Sequence, residues 1–234
     1  MEQRRATSSN WFWPLFGAAA GVLGAIGHLF TDQKLTDEER ASGAAVIDAL
    51  DRTNFHIGVV AGLAAVVCLL IFTAGWRRWI AGYAPDSIAG EMISLALVAS
   101  AGAMLLGYGF KGSFAVYLPG GTDGEPYPNE NLLSVFMFND FGPYIAWYGV
   151  AMAALGVAWF SLREHRLPIW FGIVAAVFAI VPIAFLVATG LPGFPGVVDP
   201  FWMVIFGIGL AVRLRRSAPQ PAAYPAQQMA KPVL

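Results

Sequence analysis

Six apolar runs divide the chain, near residues 11 to 30, 55 to 75, 88 to 108, 139 to 161, 168 to 190 and 200 to 213. A helix of about 20 apolar residues crosses the hydrocarbon core of a bilayer. Such a helix satisfies all of its backbone hydrogen bonds internally, as lipid requires. The expected fold is therefore all-α: a polytopic transmembrane bundle of six helices. Composition agrees, since 57% of the residues are hydrophobic and only 12% charged, against about 25% charged in soluble domains. The domain plan is a short N-terminus (1–10), a membrane domain (11–216) with long loops at 31–54 and 109–138, and a Pro/Ala/Gln-rich disordered tail (217–234). The first run is too long for the apolar core of a signal peptide and no clear cleavage site follows it, so it is expected to remain as the first span.

The distribution of charge orients these spans, because short cytoplasmic loops retain Lys and Arg. With the N-terminus inside, ten of the fourteen basic residues are cytoplasmic, among them Arg77, Arg78, Arg163, Arg166 and the Arg213, Arg215, Arg216 group, while eleven of the fifteen acidic residues fall outside. Both termini are then cytoplasmic. Cys68 is the single cysteine, which excludes an intrachain disulfide and a thiolate metal cluster.

Local punctuation refines the plan. Pro168 and Pro200 suit the first turns of the last two helices, where a missing N–H costs nothing. Pro182 and Gly142-Pro143 fall inside spans and predict kinks. Thr36-Asp37-Glu38-Glu39 has capping-box spacing and predicts a helix from Asp37 to about Asp51 that could run into the second span, with Ala44, Ala45, Ile47 and Leu50 as a weak apolar face. Turn signals crowd Pro119-Gly120-Gly121, Asp123-Gly124 and Pro126–Pro128, and Leu132–Phe138 is apolar enough for the membrane interface. Trp11, Trp13, Trp76, Trp79, Trp170 and Trp202 lie near predicted membrane surfaces, as an aromatic belt requires.

Within a membrane, ionisable residues are the informative ones. Glu91 sits one turn into the third span and is expected to reach Arg77 or Arg78 at the interface. The others gather at the outer ends of the helices: His28, Asp32, His56, Lys111, Asn139, Asp140 and Asp199. Of these, His28, His56, Lys111, Asn139 and Asp140 are the candidate ligand-binding residues. His28, His56 and Asp140 would form the ligand set of a zinc or iron site, although no His pair at i, i+4 and no HExxH accompanies them. Gly17, Gly21, Gly24 and His28 form one helical stripe, and small residues mark close helix contact. His28 should therefore face the bundle interior. His56 lies roughly 180° from the Gly58, Gly62, Ala65 stripe and should face away from it, which weakens a bis-histidine haem. His165 belongs to a cytoplasmic turn. No GxxxxGK[ST], GxGxxG or GxSxG motif is present.

The segments Tyr108-Gly109-Phe110-Lys111-Gly112, Val116 to Gly121, Asn139-Asp140-Phe141-Gly142-Pro143 and Thr189 to Gly196 together resemble uncharacterised six- or seven-helix membrane proteins of actinobacteria, which carry a domain of unknown function. That resemblance implies a bacterial plasma membrane and carries no activity. It also suggests a Lys111–Asp140 pair across the third and fourth spans at the outer surface.

Three functional classes follow. The favoured one is a non-catalytic membrane protein that binds a ligand, lipid or protein partner at its outer face, with no cofactor and no nucleic-acid partner. A small-solute transporter or channel is the alternative, motivated by the kinks and glycine-rich helices but lacking a midplane charge and an inverted repeat. An outer-face metal-dependent enzyme using His28, His56 and Asp140 ranks last.

Overall fold

The computed structural model describes residues 11–33, 35–122 and 127–217. The expectations for 1–10, for the tail beyond Ser217 and for the Asp123-Gly124 and Pro126 turn signals lie outside the described residues. Among the described residues the fold is helical, with no strand. In chain order the helices are α1 (Leu15–Gly24), continued by a π-helical segment (Ala25–Phe30); α2 (Asp37–Ala41), followed by a 3₁₀ segment (Gly43–Ala49); α3 (Arg52–Tyr83); α4 (Ile88–Tyr117); α5 (Asn129–Ile145); α6 (Tyr148–Leu162); α7 (Ile169–Thr189); and α8 (Phe194–Ser217). Five stretches are long and apolar enough to cross a membrane: α3, α4, the α5–α6 pair, α7 and α8. Leu15–Phe30 is also apolar but shorter. The chain is thus built as a multi-pass membrane protein.

Several boundaries differ from the sequence expectation for identifiable reasons. Pro200 is not at the first turn of the last helix, because α8 begins at Phe194 and carries Pro200 inside it. The helix opened by the capping box stops at Ala41, after which Gly43 adopts a left-handed φ of 64°. Leu50 and Asp51 are extended, so this segment does not run into α3; Asp51 instead caps α3 through the Thr53 N–H. The capping box itself is complete: Thr36 Oγ1 accepts from the Glu39 N–H, and the Glu39 carboxylate accepts from the Thr36 N–H at 2.7 Å. Those bonds hold the Glu39 carboxyl below its ordinary range, the Thr36 backbone N–H contributing most. A depressed folded value means that the cap is strongest above the ordinary glutamate pKa and is lost as pH falls through the folded one. Thr36→Ala is expected to return the Glu39 titration toward an unperturbed carboxylate, which NMR of the side-chain carbonyl would record.

Packing is set by where the chain lacks side chains. The Gly17, Gly21, Gly24 stripe of α1 is buried, as its phase predicts. α8 runs antiparallel along it. A Cβ on Gly21 would meet the Pro200 carbonyl oxygen, a Cβ on Gly207 would lie 2.5 Å from the Ala18 nitrogen, and one on Gly17 would meet Phe72 and Met203. Trp76, Trp147 and Trp202 are fully enclosed in the main core. Trp76 and Trp202 are therefore core residues and not part of a surface belt; the Trp76 indole N–H donates to the Gly90 carbonyl at 3.0 Å. At Gly102, in contrast, an added Cβ would meet nothing within 4 Å, so Gly102→Ala should leave the thermal midpoint of detergent-purified protein unchanged or slightly raised.

The two ends of the bundle differ. At one end Arg77 reaches Glu91 at 3.7 Å, as expected, and the Tyr83 hydroxyl donates to the Arg166 carbonyl. At the other end the 3₁₀ segment and the adjoining ends of α3, α4 and α5 enclose a second apolar cluster of Val46, Ile47, Phe55, Phe114, Leu118 and Leu132. Leu132–Phe138 is helical, as part of α5. Chain length explains the second cluster: α3 has 32 residues. At helical rise this is about 48 Å, longer than the ~30 Å hydrocarbon core.

Candidate functional site: a buried polar network at one end of the bundle

His28 is fully buried, as the small-residue stripe predicts. Its Nε2 lies 2.7 Å from the Gly196 carbonyl oxygen and its Nδ1 lies 3.0 Å from the Tyr108 hydroxyl. A carbonyl can only accept, so Nε2 carries the ring proton and Nδ1 accepts from the Tyr108 O–H. The Gly196 carbonyl is free for this bond because the residue four positions later is Pro200, which has no N–H to return to it. Tyr108 fits against α3 only because residue 62 is glycine, whose Cβ would fall 2.2 Å from the Tyr108 ring. Trp147 fits against Gly24 in the same way, and its ring centroid is 5.7 Å from that of His28.

Lys111 is the second member of the network and is only 2% exposed. Its ammonium donates to the Gly27 carbonyl at 2.9 Å and to Thr31 Oγ1 at 3.0 Å, while Thr31 Oγ1 turns back toward the Ile26 and Gly27 carbonyls at 3.0 Å. The last carbonyls of a helix have no intrahelical partner and sit at the negative end of its dipole. Lys111 therefore acts as a long-range cap on the π-helical end of α1. Its aliphatic stem crosses Gly58, where a Cβ would lie 2.8 Å from the Lys111 Cδ and Cε.

The network opens to the surface through Tyr144. Its hydroxyl donates to Asp32 Oδ2 at 2.8 Å and approaches the His28 carbonyl at 3.3 Å, and its ring packs edge-on against the imidazole at 4.9 Å. Asp32 and Asp140 are exposed and lie within each other's field.

The expected Lys111–Asp140 pair does not form. Lys111 turns inward to the carbonyls of α1 whereas Asp140 is on the exposed face of α5, and the Arg77–Glu91 contact is the sole salt bridge among the described residues. Double-mutant analysis of Lys111→Ala and Asp140→Ala is expected to give additive losses in thermal stability, with a coupling below about 0.5 kcal/mol. Coupling above ~1 kcal/mol would restore the pair.

His56 is exposed on α3, pointing away from the buried Gly58, Gly62 and Ala65, as its phase predicts. Asn139 is buried, with its Oδ1 unpartnered. The structure does not gather His28, His56 and Asp140: one is enclosed, the other two are exposed on α3 and α5, and no three His, Cys, Asp or Glu side chains form a metal-sized group among the described residues. Sequence reasoning missed Tyr108, Thr31, Tyr144 and the Gly196 carbonyl. The one available signal was Pro200, which frees the carbonyl four residues before it.

No family model matches the chain, and neither a curated protein nor a solved structure does.

Proposed function

We propose that the protein crosses a bacterial plasma membrane six times, with both termini in the cytoplasm, and is a non-catalytic binding protein whose outer face holds a small cationic ligand. The basic residues at the Arg77 end and the acidic ones at the Asp32 end support this direction. The observation that carries the binding reading is the mouth of the network. Asp32 is fixed by the Tyr144 hydroxyl, Tyr144 is fixed against His28, and His28 is fixed by Gly196 and Tyr108. An exposed carboxylate held by so rigid a support, with Asp140 nearby, offers a preformed site for positive charge. The one hydroxyl–base pair of the network, Tyr108 with His28, is fully enclosed and reaches no surface, which is why binding is preferred to catalysis.

Calorimetric titration with a series of alkylammonium ions, using protein in nanodiscs, tests the reading. Asp32→Asn with Asp140→Asn should weaken binding roughly tenfold, each rim charge contributing of the order of 0.2 to 1 kcal/mol. Absence of binding in the wild type would refute it.

Transport of a small solute is the second reading. It is favoured by the prolines inside α5, α7 and α8, Pro143, Pro182 and Pro200, each of which removes a backbone donor within its helix. Flux of the same alkylammonium ions into proteoliposomes would distinguish transport from binding alone.

A further inference from the structure

Asp199 lies on α8 between Gly196 and Pro200, is 0% exposed, and neither carboxylate oxygen has a hydrogen-bond partner. An enclosed carboxylate without donors is among the most costly arrangements a membrane helix can hold, and such residues are kept for function. The register of α1 against α8 locates it. His28 opposes Gly196 and Gly21 opposes Pro200 and Val204, so Asp199 stands level with Gly24 and Ala25. At that level the Trp147 ring rests on Gly24, with its indole N–H turned toward the Tyr108 hydroxyl. Asp199 thus stands without a donor about one turn inward from His28.

We propose that Asp199 is an internal binding site for a monovalent cation, either a proton or an alkali ion. The charge balance selects a monovalent occupant. α1 and α7 contain no titratable residue, α6 contributes only Tyr148, and the titratable groups facing this part of α8 are His28 from the π-helical segment and Tyr144 from α5. Lys111 lies further out, engaged with Gly27 and Thr31. A single carboxylate is neutralised by one positive charge, whereas a divalent ion would leave a net charge in a low-dielectric interior. Complete enclosure excludes an organic ammonium of the size that the outer shelf would take. Asp32 and Asp140 are exposed and form no part of this enclosed site.

Thermal unfolding of the full chain in nanodiscs tests the proposal, with sodium exchanged for choline at constant ionic strength and with pH varied at fixed sodium. A ligand that binds only the folded state raises the midpoint by mass action. The wild-type midpoint should rise with sodium if an alkali ion occupies the site, or with proton concentration alone if a proton does. Asp199→Asn should abolish that dependence, whereas Asp32→Asn with Asp140→Asn should preserve it even if the shelf fails to bind alkylammonium. Identical dependences in wild type and Asp199→Asn overturn the proposal. Should the Asn variant not fold, dicyclohexylcarbodiimide labelling of the wild type decides: an adduct at Asp199 suppressed by sodium or by raised pH supports the site. Absence of the adduct, or an adduct that neither condition suppresses, overturns it.

Discussion

Gly21→Leu is expected to cost several kcal/mol and to prevent recovery of folded protein from mild detergent. A side chain at residue 21 is directed at backbone, since the nearest atoms to its Cβ are the Pro200 carbonyl oxygen, the Val204 Cγ2 and the Val204 nitrogen. Side chains can rotate away from an intruder, but a helix backbone must move as a body. Overpacking a well-filled core costs about 1 to 3 kcal/mol when neighbours can adjust, so the loss here should reach or exceed the top of that range. Displacement of α8 would also separate Gly196 from His28, which adds the cost of an unpaired buried carbonyl, about 1 to 3 kcal/mol. Size-exclusion profiles and thermal midpoints of Gly21→Leu beside Gly102→Ala provide the check. A Gly21→Leu midpoint close to wild type would mean that α1 and α8 are not in backbone contact.

His28→Ala carries the second large effect, for a different reason. The imidazole is enclosed by Tyr108, Tyr144 and Trp147 and bonds through both nitrogens. Its removal leaves a cavity and strips the Gly196 carbonyl and the Tyr108 hydroxyl of their partner. Truncating a buried ring costs about 3 to 5 kcal/mol in soluble cores, although hydrogen bonds between membrane helices are often worth only ~0.6 to 2 kcal/mol. We therefore expect about 3 to 5 kcal/mol for His28→Ala. His28→Phe should recover the packing share but not the two bonds. If Phe were as stable as His, the bonds would contribute nothing, and the ring would act by volume alone. Tyr108→Phe, which removes only the donor to Nδ1, should lose about 1 kcal/mol.

The parts of this fold that depend on local rules are readable before any coordinates. Apolar length marks the five stretches long enough to cross a membrane, although α3, α4, α5 and α8 extend beyond their apolar runs and the fourth run is divided between α5 and α6. Helical phase places His28 inside and His56 outside, since both follow from 3.6 residues per turn and the position of small residues. The Thr36–Glu39 capping box is equally local and forms as expected. What is not readable depends on pairings across the chain. Lys111 pairs with Asp140 in the sequence reading because both stand in the segments that carry the resemblance, at the outer ends of neighbouring spans. The carbonyls at the end of α1 are stronger claimants, being without a backbone partner and at the negative pole of a helix, yet nothing in the sequence near Lys111 or Gly27 points one to the other. The same holds for Trp76 and Trp202: a tryptophan near a predicted membrane surface reads the same whether it faces lipid or core. Neighbouring residues on other helices decide between the two, and they lie far away along the chain.

The contact between α1 and α8 joins the first and last helices of the described chain, and His28 and Gly196 are 168 residues apart. Biogenesis feels this separation. Synthesis proceeds from the N-terminus, so the glycine face of α1 and both nitrogens of His28 are made long before α8. The imidazole waits 80 residues for Tyr108 and 168 for the Gly196 carbonyl, and until α8 is made a narrow face built for another backbone stands open. A ribosome that stops short of Phe194 therefore releases a chain whose open seam is both polar and adhesive. The last helix is then the step that turns an insertion intermediate, open to quality-control proteases, into a closed bundle.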